Sequence, residues 1–509
     1  MSRTIFWHEI ITGKDKTYKG VKIDNSLMLD FLGELGLKKY RIGNIADSTF
    51  VYKEGLFWEI VNEESIKDIA IKAIKTCFAD YEHVMDVINK LNGVNNMFKR
   101  GFLSGLRTAK INAIIDTHDK SFNYYRNGVV IVDGGGGVSM TGYDELKDVD
   151  IWKSTVIDRD FNIDTHNNLD TRQLYDALML SGGKESIIET FLKTITADDI
   201  TFEAIKSSIG YLMHRYKSES LTKLTSLTDT DFDADASGGN GKSLISKILG
   251  QVRNVYTINH DVGGKMKEFV FGNVRADVDI VFHDELPRGF KLGRIFTAVT
   301  GDLTTEKKGK DVKVMPFEIS PKHLSASNHP FEGTGGSFSG RLNEIQINHY
   351  YERDKRQPKD DFGGKEFFKH DFGPNEWILF DAFMIDCLGL YMRDGIIRAT
   401  NETITESKLI LNTNEGFCMF LDDLGFGSDG AKFTVKRMVA EFLQSQDVIK
   451  NLNVNTTVKW VKEWGKARGF AIEKEREGGG ERRRYLKLGG GGADVWSEFG
   501  GLLGNESPF

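Results

Sequence analysis

The segment DFDADASGGNGKSLISKIL, residues 231–249, constrains the fold of this chain more than any other stretch. Its glycines stand directly before a Lys-Ser pair, and apolar residues then recur at the spacing of an amphipathic helix. A glycine-rich turn that leads into a helix lets several backbone N–H groups point at one anion, and the helix dipole adds positive charge there. The segment therefore predicts a phosphate-binding loop inside an α/β domain.

In this interpretation, each residue type in the loop has its own task. The glycines let the backbone curl, Lys242 reaches the β- and γ-phosphates of a nucleotide, and the Ser243 hydroxyl ligates Mg²⁺. We expect the nucleotide to be contacted by Gly238, Gly239, Asn240, Gly241, Lys242, Ser243 and Leu244. Two features depart from the strict pattern: Ala236 replaces its first Gly, and the lead-in DTDFDADA is acidic. A solvated glycine-rich loop is therefore the alternative for this segment alone.

A second signal follows in VDIVFHDELP, which has the character of a buried strand ending in two adjacent acids. An acid at the end of a neighbouring strand holds Mg²⁺, and a second acid polarises the water that attacks the terminal phosphate. We assign Asp284 to the metal and Glu285 to catalysis. A strand that ends in a charged turn is the alternative, and His283 before the acids is interpreted as structural.

Two further polar residues lie at the ends of short β-like runs. Asn328 in HLSASNHPF follows one run, and its amide is suited to contact the γ-phosphate or to position the attacking water. Taken alone, Asn before His-Pro is typical of a turn. Arg341 stands directly before the run LNEIQI, where it is placed to reach the nucleotide of a neighbouring subunit. A surface arginine is the alternative.

Between these motifs, GDLTTEKKGKDVKVMPFEI contains two β-like arms around a lysine-rich tip. We expect Lys307, Lys308 and Lys310 to lie at or near the tip of a hairpin, where their charge would grip a phosphate backbone. A solvated turn is the ordinary interpretation of an isolated charge run.

Taken in order, these motifs resemble the superfamily 3 helicases, the AAA+ branch found in phage, plasmid and viral replication proteins. The closest resemblance is to the helicase half of phage and poxvirus-type primase–helicases, and TGDLTTEKKGKD and SASNHP carry it best. The likeness covers about residues 120 to 400. It implies a hexameric ring that hydrolyses ATP with Mg²⁺ and pulls single-stranded DNA through its centre. A pore where six lysine hairpins converge would explain how a chain with a net charge of −7 binds DNA.

The resemblance also implies a role for each matching residue. Lys242 would bind the β- and γ-phosphates, Ser243 and Asp284 would hold Mg²⁺, and Glu285 would activate water. Asn328 would act as the sensor of the γ-phosphate and Arg341 as the finger supplied by the next subunit. Lys308 or Lys310 would make the pore contact with DNA.

The overall expectation is an α/β fold: an AAA+ P-loop core with a mixed α+β N-terminal region, a helical collar and a C-terminal winged-helix-like domain. The predicted divisions are 1–120 for the N-terminal domain, 121–217 for the collar, 218–350 for the motor core, 351–414 for a helical segment and 415–509 for the winged helix with its tail. We expect a turn at Lys53-Glu54-Gly55, a helix in SIKDIAIKAIKTCF, a hairpin with its tip at 134–137 and a helix in NEWILFDAFMIDCLGLYMRDGII.

Composition narrows the class of protein. The three cysteines lie far apart and form no CxxC pair, which argues against a structural zinc site or a disulfide framework. No apolar run approaches the roughly 18 residues of a membrane helix, so we expect a soluble cytoplasmic protein, in the host cytoplasm if phage-encoded. The first 120 residues show no primase-like set of acids and His, so a separate primase or polymerase is a possible partner.

Two other functions compete with the helicase. A replication initiator or scaffold with an AAA+ shape would bind DNA with little or no ATP turnover, and Ala236 with its acidic lead-in favours it slightly. A P-loop ATPase that acts on protein would hydrolyse ATP without stimulation by DNA.

Overall fold

The structure is a computed structural model that describes most of the chain. The described residues are 4–41, 49–93, 96–113, 116–163, 169–182, 185–196, 198–229, 241–260, 269–287, 289–306, 312–329, 331, 336–353, 356–399, 409, 413–423, 433–434, 440, 442, 454–468, 471–476 and 484–489.

The amino-terminal region packs short helices against small sheets. Its strands are β1 (Trp7–Thr12), β2 (Thr17–Ile23), β3 (Leu37–Tyr40), β4 (Thr49–Glu54) and β5 (Phe57–Val61), and its helices are α1 (Asn25–Glu34), α2 (Glu63–Cys77), α3 (Val84–Gly93) and α4 (Arg100–Leu103). The predicted turn is confirmed, since β4 and β5 pair as an antiparallel hairpin. The predicted helix is confirmed as α2, which buries Ile66, Ala70 and Ile74 along one face.

A three-stranded antiparallel sheet and three helices follow. They are β6 (Lys120–Tyr125), β7 (Gly128–Asp133), β8 (Val138–Thr141), a short strand β9 (Ile151–Trp152), α5 (Thr171–Gly182), α6 (Ile187–Ile195) and α7 (Asp199–Met213). The predicted hairpin tip at 134–137 is confirmed between β7 and β8. Strand β9 pairs with β5 of the amino-terminal region, so the two regions share a sheet.

The next region contains a five-stranded parallel sheet, which confirms the predicted α/β fold. In chain order its elements are β10 (Leu224–Asp229), α8 (Lys242–Leu249), β11 (Val255–Asn259), β12 (Ile280–Leu286), α9 (Gly293–Thr300), a hairpin of β13 (Leu303–Thr305) and β14 (Lys313–Met315), β15 (Lys322–Ser327), α10 (Gly336–Arg341) and β16 (Leu342–Ile347). The strands lie in the order β11-β12-β15-β10-β16. Every neighbouring pair in this sheet is parallel.

The sheet rests on a helical layer that contains the longest described helix. After α11 (Tyr350–Arg353) and α12 (Pro358–Asp361), helix α13 (Pro374–Asp394) runs through the core and confirms the predicted helix. It approaches α7 so closely that a Cβ on Gly210 would lie 2.1 Å from the Cys387 carbonyl oxygen. Its buried acids are paired: Asp381 with Arg159, and Asp386 with Lys206 at 3.0 Å. Pairing offsets the cost of placing these charges in the core.

The carboxyl-terminal region contains two helices and a small sheet. They are α14 (Glu415–Asp423), β17 (Phe433–Thr434), α15 (Val454–Ala467), β18 (Ala471–Arg476) and β19 (Arg484–Gly489). Strands β18 and β19 pair antiparallel, as the predicted strand pair requires. The winged-helix assignment and the predicted domain divisions remain predictions. None of the described helices combines the length and apolarity needed to cross a bilayer.

Candidate nucleotide site

The candidate site lies at the carboxyl edge of the parallel sheet, where β10, β12 and β15 end. Strand β10 lies between β15 and β16, so its neighbours in space are not its neighbours in sequence. The chain leaves β10 toward β11 on one side and later returns to β16 on the other side. Ligands of open parallel sheets bind outside the carboxyl ends of the strands at such a switch point. The topology thus places a ligand crevice at the end of β10.

Gly241 shapes the entry into helix α8. It adopts φ +87° in the left-handed region, where it caps the helix. A Cβ at this position would lie 2.8 Å from Cζ of Phe191, which is fully buried on α6. Both the backbone angle and this packing therefore require glycine. Helix α6 of the predicted collar supports the loop from below.

Lys242 is the first residue of α8, and its ammonium group is held at the strand ends. Lys242 Nζ donates to Asp229 Oδ2 at 2.5 Å and to Asn328 Oδ1 at 2.7 Å. Lys242 is 7% exposed and Asp229, the last residue of β10, is 0% exposed. The structure thus brings together Lys242 and Asn328, as the predicted roles require. Asp229 was missed by the sequence analysis, which noted only that the lead-in is acidic.

Ser243 and Asp284 meet on the other side of the same crevice. Ser243 Oγ donates to Asp284 Oδ1 at 3.1 Å, although 41 positions separate them. A hydroxyl and a carboxylate are oxygen donors of the kind that Mg²⁺ prefers, and Mg²⁺ takes its other ligands from water and phosphate. The described residues hold no group of three or more His, Cys, Asp or Glu arranged for a metal. The pair therefore fits Mg²⁺ that binds together with a nucleotide.

Glu285 stands on an irregularity of β12. The pairing with β15 shifts between His283 and Leu286, which oppose Ser325 and Ser327, so β12 has one residue more than its partner. Glu285 adopts φ +53°, which is uncommon for a residue other than glycine. Bulges re-aim side chains beside active sites. Here the bulge leaves Glu285 exposed next to Asp284, where a water-activating carboxylate belongs.

The remaining predicted residues are divided between this edge and other places. Leu244 is partly buried in the first turn of α8. Arg341 is exposed at the start of β16, beside the amino end of β10, and therefore at the opposite edge of the sheet. It does not approach Lys242 of its own chain, which is compatible with the predicted role toward a neighbouring subunit. Gly238, Gly239, Asn240 and Ala236 lie outside the described residues.

The predicted lysine hairpin is present in its two arms. Strands β13 and β14 pair antiparallel, with Leu303 opposite Met315 and Thr305 opposite Lys313. The tip residues Lys307, Lys308 and Lys310 lie outside the described residues, so their contact with DNA remains a prediction.

Behind the acids, three histidines form a row across the sheet. His283 Nδ1 lies 3.0 Å from His260 Nε2, and His283 Nε2 lies 3.0 Å from His323 Nδ1. Burial, followed by the two neighbouring rings, holds the pKa of His283 well below its usual range. Neutral rings pass a hydrogen bond from one to the next, and so His283 braces the strand that carries Asp284. No sequence pattern indicated that the three rings would meet.

Comparison with known proteins gives two solved structures. The chain is similar to the structure titled "The A form apo structure of NrS-1 C terminal region-CTR", with 11% identity, a TM-score of 0.42, and coverage of 90% of this chain and 98% of that chain. It is also similar to "Structure of Drosophila ORC bound to DNA", with 9% identity, a TM-score of 0.18, and coverage of 60% and 90%. No family model and no curated protein matches. Neither likeness is close enough to support a shared fold or function.

Proposed function

We propose that this protein is an ATP-dependent DNA helicase of phage or mobile-element replication, built on an AAA+ core of the superfamily 3 type. One observation carries the proposal. Neighbouring residues of helix α8 reach two different strand ends: Lys242 contacts Asn328 after β15, while Ser243 contacts Asp284 in β12. A lysine, a hydroxyl, a carboxylate and an amide in one crevice are the groups that bind and hydrolyse a nucleoside triphosphate.

The residues of the crevice divide the work on ATP. The N–H groups at the start of α8 and the Lys242 ammonium group attract the phosphates, and the position of Lys242 at the helix N-terminus adds the dipole. Ser243 and Asp284 would hold Mg²⁺, which neutralises phosphate charge when bound. Glu285 accepts the proton of the attacking water, and Asn328 orients that water or the γ-phosphate.

The same proposal covers the parts that act on DNA. The β13–β14 hairpin supports Lys307, Lys308 and Lys310, which would grip single-stranded or forked DNA in the pore of a homo-oligomeric ring of six subunits. Arg341 lies at the far edge of the sheet, where it would serve the nucleotide of the next subunit. The strand pair of β18 and β19 after α15 supports a winged helix in residues 415–509. A separate primase or polymerase would complete the replication machinery.

A second candidate is supported by a specific contact. The buried carboxylate of Asp229 holds the Lys242 ammonium group at 2.5 Å and competes with phosphate for it. Strong competition would give a DNA-binding initiator or scaffold with the same shape and little ATP turnover.

Steady-state ATPase assays with and without single-stranded DNA separate the candidates. A helicase hydrolyses ATP, DNA stimulates it, and Glu285→Gln lowers the rate about 10²- to 10⁴-fold because the general base is lost. ATP binding by Glu285→Gln should persist, since the lysine and the metal ligands remain. Glu82→Gln, an exposed glutamate of the amino-terminal region, is the matched control and should hydrolyse ATP normally.

The DNA contact is tested by the double variant Lys308→Ala plus Lys310→Ala. We expect basal hydrolysis to persist and DNA stimulation to disappear. A wild-type protein that never hydrolyses ATP supports the scaffold. Hydrolysis that DNA does not stimulate, and that the double variant does not alter, supports an ATPase acting on protein.

A further inference from the structure

A cavity of about 500 Å³ lies at the opposite, amino-terminal edge of the same sheet. The motor side contributes residues that follow α7 and residues that begin β15, among them Tyr216, Lys217 and Lys322. The amino-terminal side contributes Tyr40 and Trp152. A strand of six residues spans about 20 Å, so this cavity is separate from the candidate nucleotide site. Its volume is in the range of small-molecule sites, roughly 300 to 1,000 Å³.

Two buried ammonium groups line this cavity. Lys322 is 4% exposed and Lys217 is 8% exposed. Lys322 Nζ donates to the Tyr211 carbonyl oxygen at 2.7 Å, and Lys217 Nζ donates to Ser320 Oγ at 2.6 Å. Among the described residues, neither group has a carboxylate within ion-pair distance. Each ammonium can donate three hydrogen bonds, so both retain donors for another acceptor.

The carboxylates nearby are already occupied by other donors. Asp116 accepts hydrogen bonds from the Ser121 hydroxyl and from two backbone N–H groups, including that of Arg215. Asp279 pairs with Arg215 Nε at 2.7 Å and also accepts from a backbone N–H. Glu318 is exposed at the rim. The two lysines therefore leave an excess of buried positive charge, which an anion would offset.

The pKa values of the lysines agree with this picture. Burial lowers the pKa of Lys217 to about 8, against a smaller opposite effect of Glu318. Burial, together with the positive charges of Lys217 and Arg253, holds the pKa of Lys322 well below its usual range, although Asp116 opposes this. A bound anion would relieve the repulsion between the cations.

Aromatic rings form the outer wall of the cavity. Tyr40 and Tyr216 are partly exposed there, and His118 is exposed. Tyr40 packs edge-on against Trp152, with ring centroids 5.6 Å apart, so its ring is held in place. Aromatic faces of this kind stack on the bases of nucleotides.

We propose that this cavity binds a mononucleotide, with its phosphate on Lys217 and Lys322 and its base against Tyr40 and Tyr216. The ligand would contact the amino-terminal region and the motor core together and would fix one against the other. This site goes beyond the proposed helicase function, since none of its residues belongs to the ATP crevice.

Binding of AMP to the full chain by isothermal titration calorimetry tests the proposal. Lys242→Ala serves as the background because it removes the lysine of the ATP crevice, and we expect one AMP to bind there. Adding Lys217→Met or Lys322→Met should weaken AMP binding about 10- to 100-fold, the worth of a lost charged hydrogen bond. Lys223→Met is the matched control, because Lys223 is also buried but donates to the Gly340 carbonyl outside the cavity. It should leave AMP affinity unchanged.

Two further arms address the ligand class and folding. Inorganic phosphate should bind more weakly than AMP, and Tyr216→Leu should weaken AMP without affecting phosphate. Equal binding of phosphate and AMP would overturn the mononucleotide assignment. AMP affinity that neither lysine variant changes, with both variants folded by circular dichroism, would overturn the site itself. Because the assay needs neither hydrolysis nor DNA, its failure is distinct from a failure of the helicase proposal.

Discussion

The two edges of the parallel sheet both hold buried lysines, and they treat those lysines differently. At the carboxyl edge, Lys242 is paired with the carboxylate of Asp229 and the amide of Asn328. At the amino edge, Lys217 and Lys322 donate only to a hydroxyl and to a carbonyl among the described residues. One edge thus provides an anion from its own chain, while the other leaves the counter-charge to be supplied.

The difference indicates how each edge would respond to a ligand. A phosphate that binds at the carboxyl edge must displace or tolerate Asp229, so binding there is an exchange of one anion for another. An anion that enters the amino edge meets cations without a carboxylate partner, so it reduces an existing repulsion. The first arrangement suits a nucleotide that turns over, and the second suits a ligand that stays bound.

The largest expected effect comes from Gly241→Ala at the carboxyl edge. The variant forces a left-handed backbone angle on alanine and a 2.8 Å approach to Phe191. We expect the free energy of unfolding to fall by about 2 to 4 kcal/mol and ATP affinity to fall with it. Urea denaturation and nucleotide titration measure the two effects.

Two companion variants sharpen this test. Gly293→Ala is the control, since a Cβ there meets nothing within 4 Å and its φ is not positive. The double variant with Phe191→Leu should recover the part of the loss that comes from packing, while the part from the backbone angle remains. If Gly241→Ala is as stable as Gly293→Ala, the left-handed glycine is not what shapes the loop.

The sequence predicted those parts of the site that follow from short-range pattern. Gly-Lys-Ser before an apolar period indicates a loop and a helix, and a buried strand that ends in Asp284 and Glu285 indicates the facing acids. Because carboxyl ends of parallel strands meet at one edge, the convergence of Lys242, Ser243 and Asp284 could be anticipated. The arms of the β13–β14 hairpin were predictable for the same local reason.

The features that the sequence did not predict depend on contacts between distant segments. Asp229 looked like one of several loop acids, and only the end of β10 distinguishes it as buried. The support of Gly241 by Phe191 and the meeting of His260, His283 and His323 arise from the strand order. The amino-edge cavity joins Tyr40 to Lys322, which are far apart in sequence and carry no shared motif.

Asp229→Asn makes the carboxyl edge resemble the amino edge, and it is the next test in size. Without its carboxylate partner, Lys242 keeps Asn328 and gains freedom to pair with phosphate, and the repulsion between Asp229 and the triphosphate disappears. We expect ATP affinity to rise about tenfold, or about 1.4 kcal/mol. Competition titration with a fluorescent nucleotide measures it, and Asp80→Asn on the exposed surface is the control. Weaker binding would mean that Asp229 positions Lys242 rather than competing for it.

The smallest expected effect concerns the histidine row, which connects the two edges. His323 follows Lys322 in β15, and burial, together with the charge of Lys217, lowers the pKa of His323 to about 3. Because this pKa is depressed on folding, His323 stabilises the fold above its ordinary pKa of 6.5, and that contribution is lost as the pH falls from 6.5 toward 3. We expect His323→Asn to remove about 1 kcal/mol of the stability lost between about pH 6.5 and 5.5.

Urea denaturation at each pH measures this slope, with the exposed His8→Asn as the control. Saturating AMP should also flatten the slope in the wild-type protein, because phosphate beside Lys217 offsets the charge that helps to depress the His323 pKa. An unchanged slope in His323→Asn would show that the row does not titrate during acid unfolding. A slope that His323→Asn flattens but AMP leaves unchanged would instead separate the histidine row from the amino-edge cavity, because the two edges would then be independent.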